Sequence, residues 1–151
     1  MTGIKIVCVG RVKEEFFKEG IEYYVKEIRK KYSMDIVECP DEPTPDSCPE
    51  SVERQIRDTE GERILNKIKD DDYVIALCID GKHYNTQAWS ERMNRIFLQV
   101  PSQVILVIGG SLGLSEQVIR RANEKLSFSA LTFPHQMMRL ILCEQIARIV
   151  Q

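Results

Sequence analysis

Two histidines in 151 residues, and five cysteines without a C-x-x-C pair, leave this chain no recognisable metal-ligand spacing. Cys8, Cys78 and Cys143 stand inside apolar runs, where a thiol behaves as a small hydrophobe, so inert reduced thiols are expected rather than disulfides or a redox site. No charged-then-apolar leader opens the chain, and its apolar runs stay far below the roughly 18 residues of a membrane span. A reduced, cytoplasmic setting off the membrane is therefore expected. Net positive charge is absent as well: the formal charge is −2 and the pI near 5.8. That counts against a nucleic-acid binder held by bulk charge alone.

What is present fits one globular domain over residues 1–151. The length suits a single core, and 43% hydrophobic with 29% charged residues excludes a disordered chain. The charge is unevenly spread. Residues 1–80 carry 13 basic and 19 acidic side chains, whereas residues 81–151 carry 8 and 4.

Hydrophobic spacing predicts strands at 4–9, 34–39, 73–79, 103–108 and 126–132, short apolar runs rich in β-branched residues. Between them, steps of three and four predict helices at 14–32, 50–69, 86–99 and 115–125, and a last helix from Pro134 to the C-terminus. Ser115 reads as an N-cap. Four prolines with Asp41, Glu42 and Asp46 make 40–49 an extended acidic loop. Strands alternating with helices predict an α/β fold, a parallel sheet covered on both faces.

In such sheets ligands bind at the carboxyl ends of the strands. Three ends stand out: Leu77 to Gly81, the glycine cluster from Ile108 to Gly113, and Leu131 to His135. The glycine cluster is either a tight turn or a loop whose backbone approaches a ligand; it is not G-x-G-x-x-G, and no Lys-Ser/Thr follows. The mixed stretch from Leu126 to Thr132 reads as an edge strand or as a backbone cradle for an aromatic ring. His135 and Arg139 lie four apart and share a helix face. The imidazole can move a proton, and the guanidinium can hold a phosphate or a developing anion. His83 reads as a surface residue. The last helix is apolar nearly all round, with Met137, Leu140, Ile141, Leu142, Ile146 and Ile149. Burial against a second copy, a homodimer, is expected.

The run Ile108-Gly109-Gly110-Ser111, with Gly113 and Leu114, and the run Leu126-Ser127-x-Ser129-x-x-Thr132-Phe133-Pro134-His135-Gln136-Met137-Met138-Arg139 closely resemble the RlmH family. These are SPOUT-class methyltransferases that methylate N3 of a pseudouridine in large-subunit ribosomal RNA. Val9-Gly10, Pro40-Asp41-Glu42, Glu60-Gly61-Glu62 and Gly81-Lys82 extend the likeness along essentially the whole chain. The resemblance implies an α/β-knot, a homodimer and an S-adenosylmethionine pocket formed by Leu77, Gly109, Phe128, Ser129, Ala130, Leu131, Thr132 and Phe133. It further implies that Arg139 steadies the anion left when N3 loses its proton, or a nearby phosphate, and that His135 shapes the pocket or relays the proton. No metal enters this chemistry.

Two features depart from the family pattern. Relatives continue into a short tail ending in a Pro-Tyr-His type motif, whereas this chain stops at Gln151, and Ala147 stands before Arg148 where relatives usually carry Tyr. A non-catalytic module that binds cofactor or ribosome is therefore the alternative from another class, and a SPOUT methyltransferase acting on transfer RNA the alternative within the same one. Pairing two basic halves in a dimer would give a local positive surface suited to an assembled ribosome.

Overall fold

The computed structural model describes residues 3–150. Strand and helix alternate: β1 (Gly3–Val9), α1 (Glu15–Arg29), β2 (Met34–Cys39), α2 (Glu50–Leu65), β3 (Tyr73–His83), α3 (Thr86–Gln99), β4 (Gln103–Ile108), α4 (Glu116–Arg121), β5 (Glu124–Ser127) and α5 (His135–Val150). The strands form one sheet in the order β2-β1-β4-β3-β5, every neighbouring pair parallel. The α/β expectation holds.

Alternation along the strands sorts side chains into two cores. Ile4, Ile6 and Cys8 of β1, with Val104, Leu106 and Ile108 of β4, face α1, α3 and α5. Val7 and Val9, with Ile105 and Val107, face the other way, onto Ile64 of α2 and Val118 of α4. Burying such a side chain stabilises by about 1.5–3 kcal/mol, so the two central strands anchor both layers. Cys8, Cys39 and Cys143 are buried in these layers, and no cysteine is in a disulfide. Burial pushes the Cys8 and Cys143 thiols up to about 12, which keeps both protonated.

Several boundaries differ from the sequence expectation, each for a local reason. β5 covers Glu124–Ser127, not 126–132. It starts earlier because Glu124 pairs with Ile75 on β3 and accepts from Arg92 of α3 at 3.2 Å. It stops at Ser127 because its hydroxyl donates to the Ser129 carbonyl, and the Ser129 hydroxyl accepts from the Leu131 N–H, each at 3.0 Å. These side-chain bonds draw the chain out of the sheet. The helix expected to reach residue 125 ends at Arg121, since Asn123 exchanges hydrogen bonds with the Val74 backbone at the start of β3. α2 ends at Leu65, not 69, where the Asp72 carboxylate takes the Lys69 N–H and Arg121 takes the Lys69 carbonyl. β3 runs past the expected turn to His83, with a register break between Leu77 and Lys82 that sets both opposite Leu126. His83 is exposed, as expected, but at the end of this strand.

β1 connects outward to β2, whereas β4 connects across β3 to β5. The boundary between β1 and β4 is thus the topological switch, where ligands gather in open parallel sheets. Gly10, at φ +86°, leaves β1 on one side of it, and Gly109 leaves β4 on the other.

The second layer depends on a close helix contact. A Cβ on Gly61 of α2 would lie 2.3 Å from the Ser115 hydroxyl and 3.0 Å from its Cβ. Ser115 caps α4, accepting from the Val118 N–H at 3.3 Å. Gly→Ala inside a helix ordinarily stabilises by about 0.5–1 kcal/mol. Gly61→Ala instead removes the cap or separates the helices, and is expected to destabilise by about 1–2 kcal/mol in urea unfolding.

Candidate functional site

A cavity of about 790 Å³ opens at the carboxyl ends of β3, β4 and β5, within the roughly 300–1,000 Å³ range of small-molecule sites. The loop after β4 makes its first wall. Gly110 and Gly113 bridge each other, with the Gly113 N–H donating to the Gly110 carbonyl at 3.1 Å. Gly113 sits at φ +85°, and a Cβ on Gly109 would lie 2.8 Å from the Gly113 carbonyl carbon. Backbone therefore meets a ligand where side chains would block the turn. Residues 109–113 spell G-x-S-x-G, yet they form no nucleophile elbow. Ser111 is exposed on a turn, and α4 starts only at Glu116.

The second wall is the register break in β3, which puts Leu77, Cys78 and Ile79 on the cavity. Burial, reinforced by the Asp80 carboxylate, raises the Cys78 thiol to about 11, so it lines the wall as a neutral group. The third wall is the segment after β5, held by the two serine turns and by Phe128 packing edge-on against Trp89 of α3, with ring centroids 6.0 Å apart.

Of the sequence-expected cofactor residues, Leu77, Gly109, Phe128, Ser129, Leu131, Thr132 and Phe133 line this cavity. Ala130 does not; it is exposed beside it. Leu131 is 69% exposed, at the rim. His135 lines the cavity too, half-buried at the first turn of α5.

Arg139 lies elsewhere. It is 2% exposed and borders a second cavity of about 780 Å³, beside β1 and β2. Its guanidinium donates to Glu38 Oε2 at 2.6 Å and to the Gly10 carbonyl at 3.1 Å. Its Nε is buried without a hydrogen-bond partner. The shared helix face holds, but His135 and Arg139 serve different cavities. Gly10 stands between them, since a Cβ there would come 3.6 Å from His135 Nε2. Burial, then the Arg139 charge, lowers the His135 pKa below its usual 6.5, opposed by Asp41 of the acidic loop. The imidazole is neutral at pH 7 and able to accept a proton.

Cys78 and Ile79 line the first cavity within the Leu77–Gly81 end that the sequence singles out, whereas sequence reasoning missed Ile119 and Met138 there, and Glu38 as the partner of Arg139. An acid at the carboxyl end of a parallel strand was the available signal for Glu38. Glu60 was quoted only within a matching run. It is 4% exposed, accepts the Glu42 N–H at 3.0 Å, and its carboxylate lies under Gly110. With the Arg63–Glu42 ion pair it ties the acidic loop to the glycine loop. Among the described residues no group of three His, Cys, Asp or Glu is placed to hold a metal. No helix of the described residues is long and apolar enough to cross a membrane.

Known proteins resemble the whole chain. Residues 2–151 match the family model described as predicted SPOUT methyltransferase. The chain is 48% identical over 145 residues to ribosomal RNA large subunit methyltransferase H of Bacillus pumilus (strain SAFR-032), covering 96% of this chain and 91% of that one. It is 47% identical over the same shares to the protein of that name from Listeria monocytogenes serovar 1/2a, and 46% to that from Streptococcus thermophilus. A solved structure of a probable methyltransferase from Bordetella pertussis Tohama I superposes with a TM-score of 0.59 at 10% identity. It covers 99% of this chain and 95% of that one, a likeness of fold. Fold, family model and near relatives agree: the chain belongs to the SPOUT methyltransferase family.

Proposed function

We propose that this chain transfers a methyl group from S-adenosylmethionine to N3 of a pseudouridine in large-subunit ribosomal RNA. The observation that carries the reading is the convergence of 109–113 and 128–133 on one cavity with His135 at its edge. Relatives 46–48% identical bear the name ribosomal RNA large subunit methyltransferase H.

The cavity suits the cofactor. It offers apolar surface from Leu77, Ile79 and Leu126 for a flat ring, and backbone groups of two loops for polar edges. When bound, S-adenosylmethionine supplies a methyl group activated on a sulfonium. Leu77, Gly109, Phe128, Ser129, Leu131, Thr132 and Phe133 would hold it, with Ala130 supporting the loop from outside. On this reading the return of 128–134 toward α5 is the threaded segment of an α/β-knot.

The acceptor nitrogen carries a proton that must leave before it becomes a good nucleophile. A neutral imidazole at the cavity edge can take that proton on a ring nitrogen, a contribution of about 10²–10⁴-fold. Placing the acceptor in line supplies the rest. Arg139 does not line this cavity, so it supports the step through its charge. It disfavours a resident imidazolium and attracts the anion left by deprotonation.

A homodimer through α5 belongs to the same reading. Leu142, Cys143, Ile146 and Ile149 are buried within the chain, but Met137, Leu140 and Ile141 stay half-buried. Phe16 and Tyr23, on the neighbouring α1, are 66% and 56% exposed. A ribosomal substrate places the protein in the cytoplasm. Light scattering should give twice the 17.5 kDa chain mass, and a monomer at micromolar concentration would remove the dimer from the model.

The direct test is transfer of labelled methyl from S-adenosylmethionine to ribosomes lacking the modification, with free ribosomal RNA, large subunits, whole ribosomes and transfer RNA compared. Transfer to large-subunit material is expected. Cofactor binding without transfer would identify a non-catalytic module, and transfer to transfer RNA alone would assign the other substrate.

His135→Gln should lower kcat about 100-fold while the cofactor Kd changes by less than threefold. The acid limb of kcat/KM should fall below pH 6.5, because protonating His135 removes the base. Arg139→Gln should move that limb upward, since the charge repelling the imidazolium is gone. Burial, the larger cause, keeps it under 6.5. A limb that ignores both substitutions would assign the base elsewhere.

A further inference from the structure

The second cavity, about 780 Å³ beside the carboxyl ends of β1 and β2, has no part in holding the cofactor. The β1–α1 turn gives it Arg11 and Lys13, α1 gives Lys18 and Glu22, β2 gives Glu38, and α5 gives Arg139. Four cations thus face two carboxylates on a protein of net charge −2. Elsewhere Arg63 is paired with Glu42, Arg92 with Glu124 and Lys125 with Asp80. Arg11, Lys13 and Lys18 are exposed and make no ion pair among the described residues. Beneath them, Arg139 spends one donor on Glu38 and one on Gly10, and its buried Nε donates to nothing. Arg139 thus backs the groove as a buried positive charge held in place from β1 and β2.

We infer that this groove binds the backbone phosphates of the RNA strand on the flank of the nucleotide being methylated. The inference rests on the reading of the chain as an RNA methyltransferase and adds a site to it. Gly10 lies between the two residues: His135, which lines the cofactor cavity, approaches it on one side, and Arg139, which lines the groove, donates to its carbonyl. Positions four apart on a helix have Cβ atoms roughly 5–6 Å apart, on the scale separating a base from a phosphate of its own strand. A base delivered to His135 therefore brings backbone phosphate toward Arg139, where Arg11, Lys13 and Lys18 neutralise its charge. Phosphate contacts position a strand without reading its sequence. The groove is accordingly a positioning surface, and the reaction stays at the first cavity.

The test uses the full chain and a labelled single-stranded RNA oligonucleotide, with binding followed by anisotropy across a salt series. Each phosphate neutralised contributes about −0.7 to the slope of log K against log salt on single strands. Replacing Lys13 and Lys18 together by Gln should make the slope shallower by about 1.4 and weaken binding at least tenfold at low salt. Arg54→Gln, a charge loss on α2 across the sheet, should leave both unchanged. In the methyl-transfer assay the double variant should raise KM for ribosomal particles about tenfold, with the S-adenosylmethionine Kd within twofold of the parent. An unchanged slope and KM in the double variant would overturn the groove, as would an equal loss of cofactor affinity or failure of the parent chain to bind RNA. If the parent binds RNA with the expected slope yet transfers no methyl group, the groove stands and the catalytic reading fails. If it transfers methyl while the double variant behaves like the parent, the groove falls and the catalytic reading stands.

Discussion

The carboxyl end of the sheet is organised around one buried guanidinium. Removing a charge from water costs several kcal/mol unless partners replace the lost hydration. Arg139 has two partners, Glu38 at the end of β2 and the Gly10 carbonyl just beyond β1, reached from the second turn of α5. A single side chain thus joins the last helix to both strands on one side of the topological switch. Because Glu38 remains 40% exposed, it keeps part of its own hydration while neutralising the arginine, which makes the pair tolerable at that depth. The same charge reaches His135 one turn earlier and disfavours its protonated form. Topology and chemistry are coupled through this residue.

The strand order fixes what lies either side of that contact. The ends of β4, β3 and β5 open onto a cavity walled by backbone and apolar groups, while those of β1 and β2 open onto a groove of four cations and two carboxylates, with Arg139 the only one of the cations ion-paired among the described residues. The sulfonium cofactor proposed for the first has little to gain from added positive charge, and none of its lining side chains is a cation at neutral pH. A polyanionic strand has much to gain from the second. Separating them by one glycine keeps the two environments adjacent without mixing their fields. The acidic loop that follows β2 is fastened to α2 by Glu60, which accepts the Glu42 N–H, and by Arg63, which donates to the Pro40 carbonyl. Burial raises the Glu60 pKa, the expected consequence of using a carboxylate as a structural anchor rather than a surface charge.

Much of this was legible in the amino-acid order, because apolar periodicity reports burial and β1 and β4 are buried on both faces. The end of β4, the Ser115 cap and the place of His135 and Arg139 on one helix face were readable in the order of residues. The end of β5 was not. Leu126 to Thr132 alternates like a strand, but two serine hydroxyls bonding to nearby backbone end it at Ser127, and only geometry decides between those partners and a sheet neighbour. The break in β3 was hidden similarly: Gly81 lies against the Leu126 backbone, a contact between residues 45 positions apart that no local pattern encodes. Arg139 was selected for the right chemical type and given the wrong surroundings, because its partners come from strands about a hundred residues earlier.

Charge shows the same limit most sharply. Dividing the chain at its midpoint makes the first half acidic and suggests that RNA meets the second. In the folded protein three of the four cations of the groove, Arg11, Lys13 and Lys18, come from the acidic half. Glu22 and Glu38 share the groove and Glu14, Glu15 and Glu19 neighbour its cations along the chain, but other carboxylates of that half lie elsewhere: Asp41, Glu42 and Asp46 on the proline loop, Glu50 and Glu53 at the start of α2, Asp70 and Asp71 at the opposite end of β3. At the roughly 8–10 Å screening length of physiological salt, exposed charges farther apart than that hardly interact. The field met by an approaching strand is therefore set by the β1–α1 turn and α5, not by the net −2. A mildly acidic protein can present a cationic surface where a parallel sheet sets the turn after β1 beside its last helix.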